Sequence, residues 1–430
     1  MRNAIRLLLL MPVLAFAQDD APADDPWAEE WDDWSEEEAG GAWTGFAEAA
    51  AGFRIQDDPL IDDSATLGEL RWRLERSWEP GKISLDVKAD LGYDVVESDL
   101  IADFRELTAG FSVGESTDIK VGRHVQTWGV GDLVFLNDLF PKDYVSFFSG
   151  RDDEYLKAPG NSLRITHYGA LLNADFVWTP RFEPDVYLTG ERFSFFSPLA
   201  GDNVAPAPPL NAIEPGHSFD NGEFALRLFR SLRGTEYAAY LYRGFFKQPN
   251  ALTEDLRATF APLAAYGASI RRPVGPGLFS GEFSWYDSRD DSTGSDPLVP
   301  NSQLRYLAGY EWEARSNFTI GLQYYVEQTL DHDELIEKSP FPDTEPEEFR
   351  QVITNRLTWR LARDRYTVSL FSFYSPSDDD FYVRPVFTWR RDDHWQFAAG
   401  ANLFGGNESH TFFNQLQDGS NAYLRLRYNY

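Results

Sequence analysis

Residues 303–328 read QLRYLAGYEWEARSNFTIGLQYYVEQ. Leu304, Tyr306, Ala308, Tyr310 and Trp312 alternate with Arg305, Glu311 and Glu313. After Ala314-Arg315, Phe318, Ile320, Leu322, Tyr324 and Val326 alternate with Gln323 and Glu327. A period of two is the period of a β-strand, whose successive side chains leave by opposite faces. The same device puts Ile83, Leu85, Val87, Ala89, Leu91 and Tyr93 on one face, with Lys82 and Lys88 opposite. It repeats in Phe381, Val383, Pro385, Phe387 and Trp389, with Arg384 and Arg390 opposite. Stretches of this kind recur from about Trp43 to Tyr430, and they number about 18, with 16 as the nearest alternative count.

A soluble sandwich also alternates, so the connections decide. Every second junction is tight, as at Glu79-Pro80-Gly81, Gly114-Glu115-Ser116, Leu232-Arg233-Gly234, Arg363-Asp364 and Arg391-Asp392. Between them lie mostly long, Asp/Gly/Pro/Asn-rich stretches at 126–160, 181–221, 246–259, 288–301, 329–349 and 405–419. Short turns at one end and long loops at the other describe an all-β, antiparallel, up-and-down transmembrane barrel, with its apolar face toward lipid and its charged face inward. Trp72, Trp78, Trp178, Trp312 and Trp389 fall near strand ends, where interfacial girdles form.

Composition agrees. The 430 residues carry 69 acids against 39 bases, a net charge of −30, no cysteine and 15% aromatics. The acidic balance argues against nucleic acid, whose phosphates need a basic face. Without cysteine there are no disulfides, zinc–thiolate sites or iron–sulfur clusters, and no cofactor is expected. Past residue 17 no apolar run approaches the roughly 20 residues a spanning helix needs. Arg2 and Arg6, the apolar Leu7 to Leu14, and Ala15-Phe16-Ala17 form a signal peptide over residues 1–17. Residues 18–41 hold eleven acids and no base, with Trp27, Trp31 and Trp34 at helical spacing behind Asp24-Asp25-Pro26. They read as a periplasmic segment, either a short helix that plugs the mouth, lies on the leaflet or docks a partner, or a solvated acidic linker. Residues 42–430 form the barrel.

The chain ends with Leu424, Leu426, Tyr428 and Tyr430 on one face and Tyr423, Arg425 and Arg427 on the other. This resembles the C-terminal assembly signal of Gram-negative outer-membrane barrels, with Tyr in place of the commoner final Phe. Gly122-Arg123-His124 through Trp128-Gly129 resembles the Gly-Arg-Gln…Trp-Gly stretch of porin-like families, including the alginate-export-like group, with His124 in place of Gln. The resemblance implies a porin-like outer-membrane channel for passive diffusion of polar or charged small solutes. The alternatives are an export pore for an acidic polysaccharide working with periplasmic partners, and a closed surface barrel. It implies outer-membrane lipid, lipopolysaccharide and the barrel assembly machinery as partners, with a homo-oligomer possible.

Residues 123–164 are the densest stretch. Trp128, Phe135, Phe140, Tyr144, Phe147, Phe148 and Tyr155 are too many aromatics for an exposed loop. The stretch is expected to fold inward and narrow the lumen, as the constriction loop does in porins. Its charged residues Asp132, Asp138, Lys142, Asp143, Arg151, Asp152, Asp153, Glu154 and Lys157 would then line the pore with His124 and an arginine wall of Arg71, Arg73, Arg123, Arg164, Arg227, Arg356, Arg360, Arg384 and Arg425. Opposed acidic and basic rims would set a transverse field across the passage. The plainer alternative is that these charges pair with one another. His124 or His167 with Ser146, Ser149 or Asp152 could form a hydrolytic site, but no motif fixes that geometry. Asp287 to Asp291 and Asp378 to Asp380 read as solvated loop tips rather than metal sites.

Overall fold

The computed structural model describes residues 42–216 and 218–430. Residues 1–41, where the signal peptide and the acidic tryptophan segment are expected, and His217 lie outside the described residues. Eighteen strands form one closed antiparallel sheet. In chain order they are β1 Thr44–Arg54, β2 Ala65–Trp78, β3 Ile83–Asp94, β4 Asp99–Val113, β5 Thr117–Val125, β6 Pro159–His167, β7 Asn173–Thr179, β8 Glu223–Leu232 and β9 Thr235–Phe245. They continue as β10 Pro262–Val274, β11 Gly277–Ser288, β12 Gln303–Arg315, β13 Phe318–Thr329, β14 Phe349–Leu361, β15 Tyr366–Ser375, β16 Asp380–Arg390, β17 Trp395–Gly406 and β18 Asn421–Asn429. Each pairs with its chain neighbour, and β1 meets β18 in the register Ala49↔Leu426. Closure leaves no sheet edge, the condition for strands to stand in hydrocarbon with every backbone group paired.

Burial follows the alternation in the sense opposite to that of a soluble protein. Along β2, Leu70 is 64% exposed and Trp72 57%, whereas Arg71 is 7% exposed and Arg73 1%. Leu91, Val121, Tyr237, Leu322, Ile353 and Leu424 are likewise exposed on the outer face. An apolar belt that wraps the whole barrel is a lipid-facing surface. Aromatics bracket it. At the short-turn end Trp43 packs edge-on against Trp78, Tyr310 stacks on Trp312, and Trp389 stacks on Phe397. At the long-loop end Tyr266 meets Trp285 and Phe283 meets Tyr306. No helix among the described residues is long and apolar enough to cross a membrane; strands make the crossing.

Both chain ends of the barrel lie at the short-turn mouth. There the Tyr430 hydroxyl accepts from Trp72 Nε1 at 2.7 Å and donates to the Arg73 carbonyl at 2.6 Å. Tyr428 packs on Trp395, while Leu424 and Leu426 stay on the lipid face, so the C-terminal residues form the closing seam.

Candidate functional site

The long connection between β5 and β6 runs through the barrel. Asp143 ends its extended part and caps the short helix α1, Tyr144–Ser149, by accepting the Ser146 amide; Gly150 closes the helix in the left-handed region at φ 92°. A β-carbon at Gly150 would stand 2.2 Å from the Tyr423 ring of β18, so glycine is required twice over. A single 3₁₀ turn, Asp153–Leu156, follows.

Apolar side chains seat this loop. Phe147 and Phe148 enter a fully buried cluster with Leu136, Leu156 and the inward residues Tyr325, Phe371, Phe373, Tyr382 and Phe404. The Tyr382 ring lies 5.6 Å from Phe147, 5.7 Å from Phe148 and 4.4 Å from Phe404. Across the barrel Trp128 and Phe140 pack with Tyr240, Tyr242 and Leu263.

Polar contacts fix the register. The Phe148 carbonyl accepts from Asn402 and Asn421, each at 2.9 Å, and the Leu136 carbonyl accepts from the Tyr286 hydroxyl. Glu282 accepts from the amides of Val130 and Asn137, and Gln323 closes a two-way pair with the backbone of Asp132. Gly267 on β10 makes room for the loop, since a β-carbon there would overlap the Asn137 amide.

Charges then staple it. Asp132 pairs with Arg356 at 2.6 Å, Asp153 with Arg384 at 2.7 Å and Glu154 with Arg73 at 2.6 Å. Asp152 bridges Arg425 at 2.7 Å and Arg427 at 3.3 Å. Burial opposes ionisation of Asp152, but the Arg425 and Arg427 guanidiniums hold its carboxyl below the usual range. The traffic also runs the other way: loop Arg151 reaches the wall acids Glu69 and Asp94. Tyr155 stands among the guanidiniums of Arg71, Arg73 and Arg105 at 4.4, 5.1 and 4.7 Å and donates to Asp90. Asp138 and Lys142 pair with each other, buried, and Lys157 donates to Thr127. These acids therefore touch their arginines instead of facing them across a gap. A transverse field needs separated charges, and contact pairs cancel at close range.

Of the nine wall arginines, eight share the inward parity. Arg123 is the exception. It pairs in register with Leu107, which is exposed to lipid, so the inward set on β5 is Lys120, Gly122 and His124. Arg123 instead lies at the outer rim against Asp103 and Glu183. Arg164 faces inward, held by Asp175 at 2.6 Å, and Arg227 by Glu236. Neutralising Arg164 should therefore move the reversal potential of the barrel in a salt gradient, while Arg123→Gln should leave it in place. Equal shifts in the two variants would contradict this wall assignment.

The hydrolytic arrangement is not assembled. His167 meets Thr117, Ser146 is engaged by Asp143 and Arg151, and both ring nitrogens of His124 are buried without a hydrogen-bond partner. Among the described residues no cluster of metal-binding side chains occurs. Asp378 is bound by Arg350, and Asp380 accepts the Phe413 amide.

Sequence reasoning missed Arg105, Glu48, Glu69, Asp90, Asp94 and Arg192. Arg105 sits at a bulge between β3 and β4 that turns it inward, where it donates to the carbonyls of Glu154 and Lys157. Arg192 belongs to the 180–222 loop, which straps the first one. Val186 donates to the Lys142 carbonyl, Tyr144 donates back to Val186, and Asp185 accepts the Lys142 amide at 2.7 Å. Burial raises the Asp185 carboxyl to about 6, with Lys142 offsetting only part of the effect. With its folded value above the unfolded one, the strap is tightest at low pH and loosens as pH rises to about 6. Asp185→Asn should remove that slope and stabilise the barrel above pH 6, by at most about 3 kcal/mol. Urea titrations in detergent at two pH values would check it.

Among the described residues, two cavities open into the lumen. One of about 320 Å³ lies between the loop and β10–β14, lined by Trp128, Phe135, Lys157, Arg271, Glu311 and Arg356. The other, about 540 Å³, opens at the short-turn ends of β3–β8, lined by Lys82, Lys120, Arg164, Asp175 and Arg227.

No family model and no curated protein matches the chain. Solved structures do match. A BenF-like porin from Pseudomonas fluorescens Pf-5 superposes with a TM-score of 0.54 at 9% identity over 90% of this chain and 98% of that one. Pseudomonas aeruginosa OccK11 (OpdR) gives 0.52 at 10% identity, over 90% and 95%. Acinetobacter baumannii OccAB4 gives 0.51 at 10%, over 90% and 97%. The fold is that of the outer-membrane porins. At such identities the porin likeness extends to architecture, and the loop contacts described above are this chain's own.

Proposed function

We propose that the chain is an outer-membrane channel through which polar or charged small solutes diffuse, with the long loops outside the cell and the short turns in the periplasm. One observation carries this reading: a closed barrel with a continuous apolar exterior holds a polar, cavity-bearing lumen, which in this reading the stapled loop narrows. Lys157, Arg164, Arg227 and Arg356 are among the charges a passing solute meets on the cavity walls, alongside Glu311 and Asp175. In this reading lipid and lipopolysaccharide contact the outer belt, the assembly machinery reads the Leu424–Tyr430 face, and copies of the chain associate through that belt.

Purified barrel in planar bilayers should give discrete single-channel steps. A preparation that inserts as folded barrel yet passes no current would remove the proposal.

A further inference from the structure

Three arginines of β2 have different fates. Arg71 and Arg73 point inward and bind carboxylates. Arg76 shares the outward parity of Leu70 and Trp72, at the short-turn end, with Val87 as its register partner. Its guanidinium stands 4.8 Å over the Trp78 ring and 5.6 Å from the Trp43 ring, and the two indoles meet edge-on at 5.7 Å. Among the described residues no hydrogen bond or ion pair reaches Arg76, and its Nε is buried without a partner. The adjacent Glu75 faces inward, against Lys88 and Arg73. Two π faces attract a cation but leave its charge in place and its in-plane donors unfilled. At the edge of the hydrocarbon, the group that answers both needs is a phosphate, which accepts from a guanidinium fork through two oxygens.

A track leads from this cation into the hydrocarbon. Ala47, Ala49 and Ala51 are exposed on the lipid face of β1, which begins beside Trp43. In register they lie between Trp72 and Leu70 of β2 on one side and Leu426 and Leu424 of β18 on the other. Those flanks are 36% to 65% exposed, so they stand up into lipid while the floor is one methyl deep. Phe53, 56% exposed, closes the far end. Ala47 to Ala51 covers about 13 Å along the strand, somewhat under half of the roughly 30 Å hydrocarbon layer. The track therefore has the length of an acyl chain in one leaflet.

We propose that Arg76, Trp43 and Trp78 hold the phosphate of an anionic phospholipid of the periplasmic leaflet, with one acyl chain laid along the alanine track. The inference rests on the membrane placement in the reading above. A headgroup of net negative charge fits because the site supplies a cation and no acid. So placed, the lipid covers the β1–β18 seam from outside.

The test titrates the full chain in dodecyl maltoside with phosphatidylglycerol and counts bound lipid by native mass spectrometry. The unaltered chain should retain one lipid most tightly, and Arg76→Gln should weaken that step by about tenfold or more. Arg76→Lys, which keeps the charge but not the fork, should recover only part. Ala49→Leu, which fills the track, should weaken it too. Arg272→Gln removes a lipid-facing arginine that has no ring contact among the described residues, and it should match the unaltered chain. Soluble glycerol 3-phosphate should not displace the lipid. Equal retention by Arg76→Gln and the unaltered chain overturns the proposal, as does displacement by glycerol 3-phosphate, which would mark a site for free phosphate. A dimer of the chain that Ala49→Leu dissociates without changing the lipid count also overturns it, by giving the track to a second copy. The same variants in planar bilayers should conduct alike; absence of current from all of them, with the lipid differences intact, removes the channel reading and leaves the lipid site standing.

Discussion

Exchange of Phe147 and Phe148 for serine should widen the channel, raising single-channel conductance several-fold while the strands stay folded. Both rings are buried in the cluster that seats the inward loop, and truncating a buried phenylalanine costs about 3–5 kcal/mol. Two such losses together outweigh the loop's surviving ion pairs, each worth about 1 kcal/mol or less once water reaches it. The loop would detach, and its former partners Arg384, Arg425 and Arg427 would be solvated rather than stranded. The barrel itself depends on strand pairing and lipid contact, so its resistance to detergent should persist. Unchanged conductance in a variant whose loop has become sensitive to protease would mean that this loop does not set the bore.

Arg73→Ala should have the largest effect on stability. Arg73 is 1% exposed, binds Asp90 through two guanidinium nitrogens and reaches Glu154 at 2.6 Å. Removing one member of such a network leaves buried carboxylates uncompensated, at a cost of about 3–5 kcal/mol. Arg71 remains on Asp90 and softens the loss, whereas Glu154 keeps only the more distant Arg427 at 4.0 Å. Urea unfolding followed by tryptophan fluorescence should move to lower denaturant. Arg73→Lys should recover part of it, because one ammonium replaces the charge but not the forked geometry. An unshifted midpoint for Arg73→Ala would show that water enters the cluster and relieves it.

The alternation along 303–328 and its repeats was enough to place the strands, because lipid outside and water inside impose opposite demands on consecutive residues. Where period two falters, so does the reading. Glu97-Ser98-Asp99 looks like loop, yet β4 begins at Asp99 with Leu100 and Ala102 already on the lipid-facing parity. The bulge at Arg105 inserts a residue, so counting back from Leu107 sends to lipid an arginine that faces inward. On β5, Lys120 and Arg123 are three residues apart and cannot share a face, and nothing local says which one yields. The structure sends Arg123 out, at the rim where Glu183 meets it. The aromatic density of 123–164 announced a buried segment, but not its partners. Glu69, Asp90 and Asp94 show the inward parity in sequence, and Arg71 and Arg73 meet Glu69 and Asp90 within the β2–β3 hairpin, whereas the reach of Arg151 from the loop to Glu69 and Asp94 has no local signature.

Asp152 of the inward loop touches Arg425 and Arg427, and Arg427 in turn touches Glu48 of the first strand. The first and last strands are therefore joined twice, by their own ladder and by the Arg427–Glu48 ion pair, which Asp152 pins from within. A nascent barrel that zips before this pin is in place would trap two arginines with one carboxylate. Biogenesis should accordingly couple the final zipping step to loop arrival, and a pinless variant should be the one that reopens along its seam.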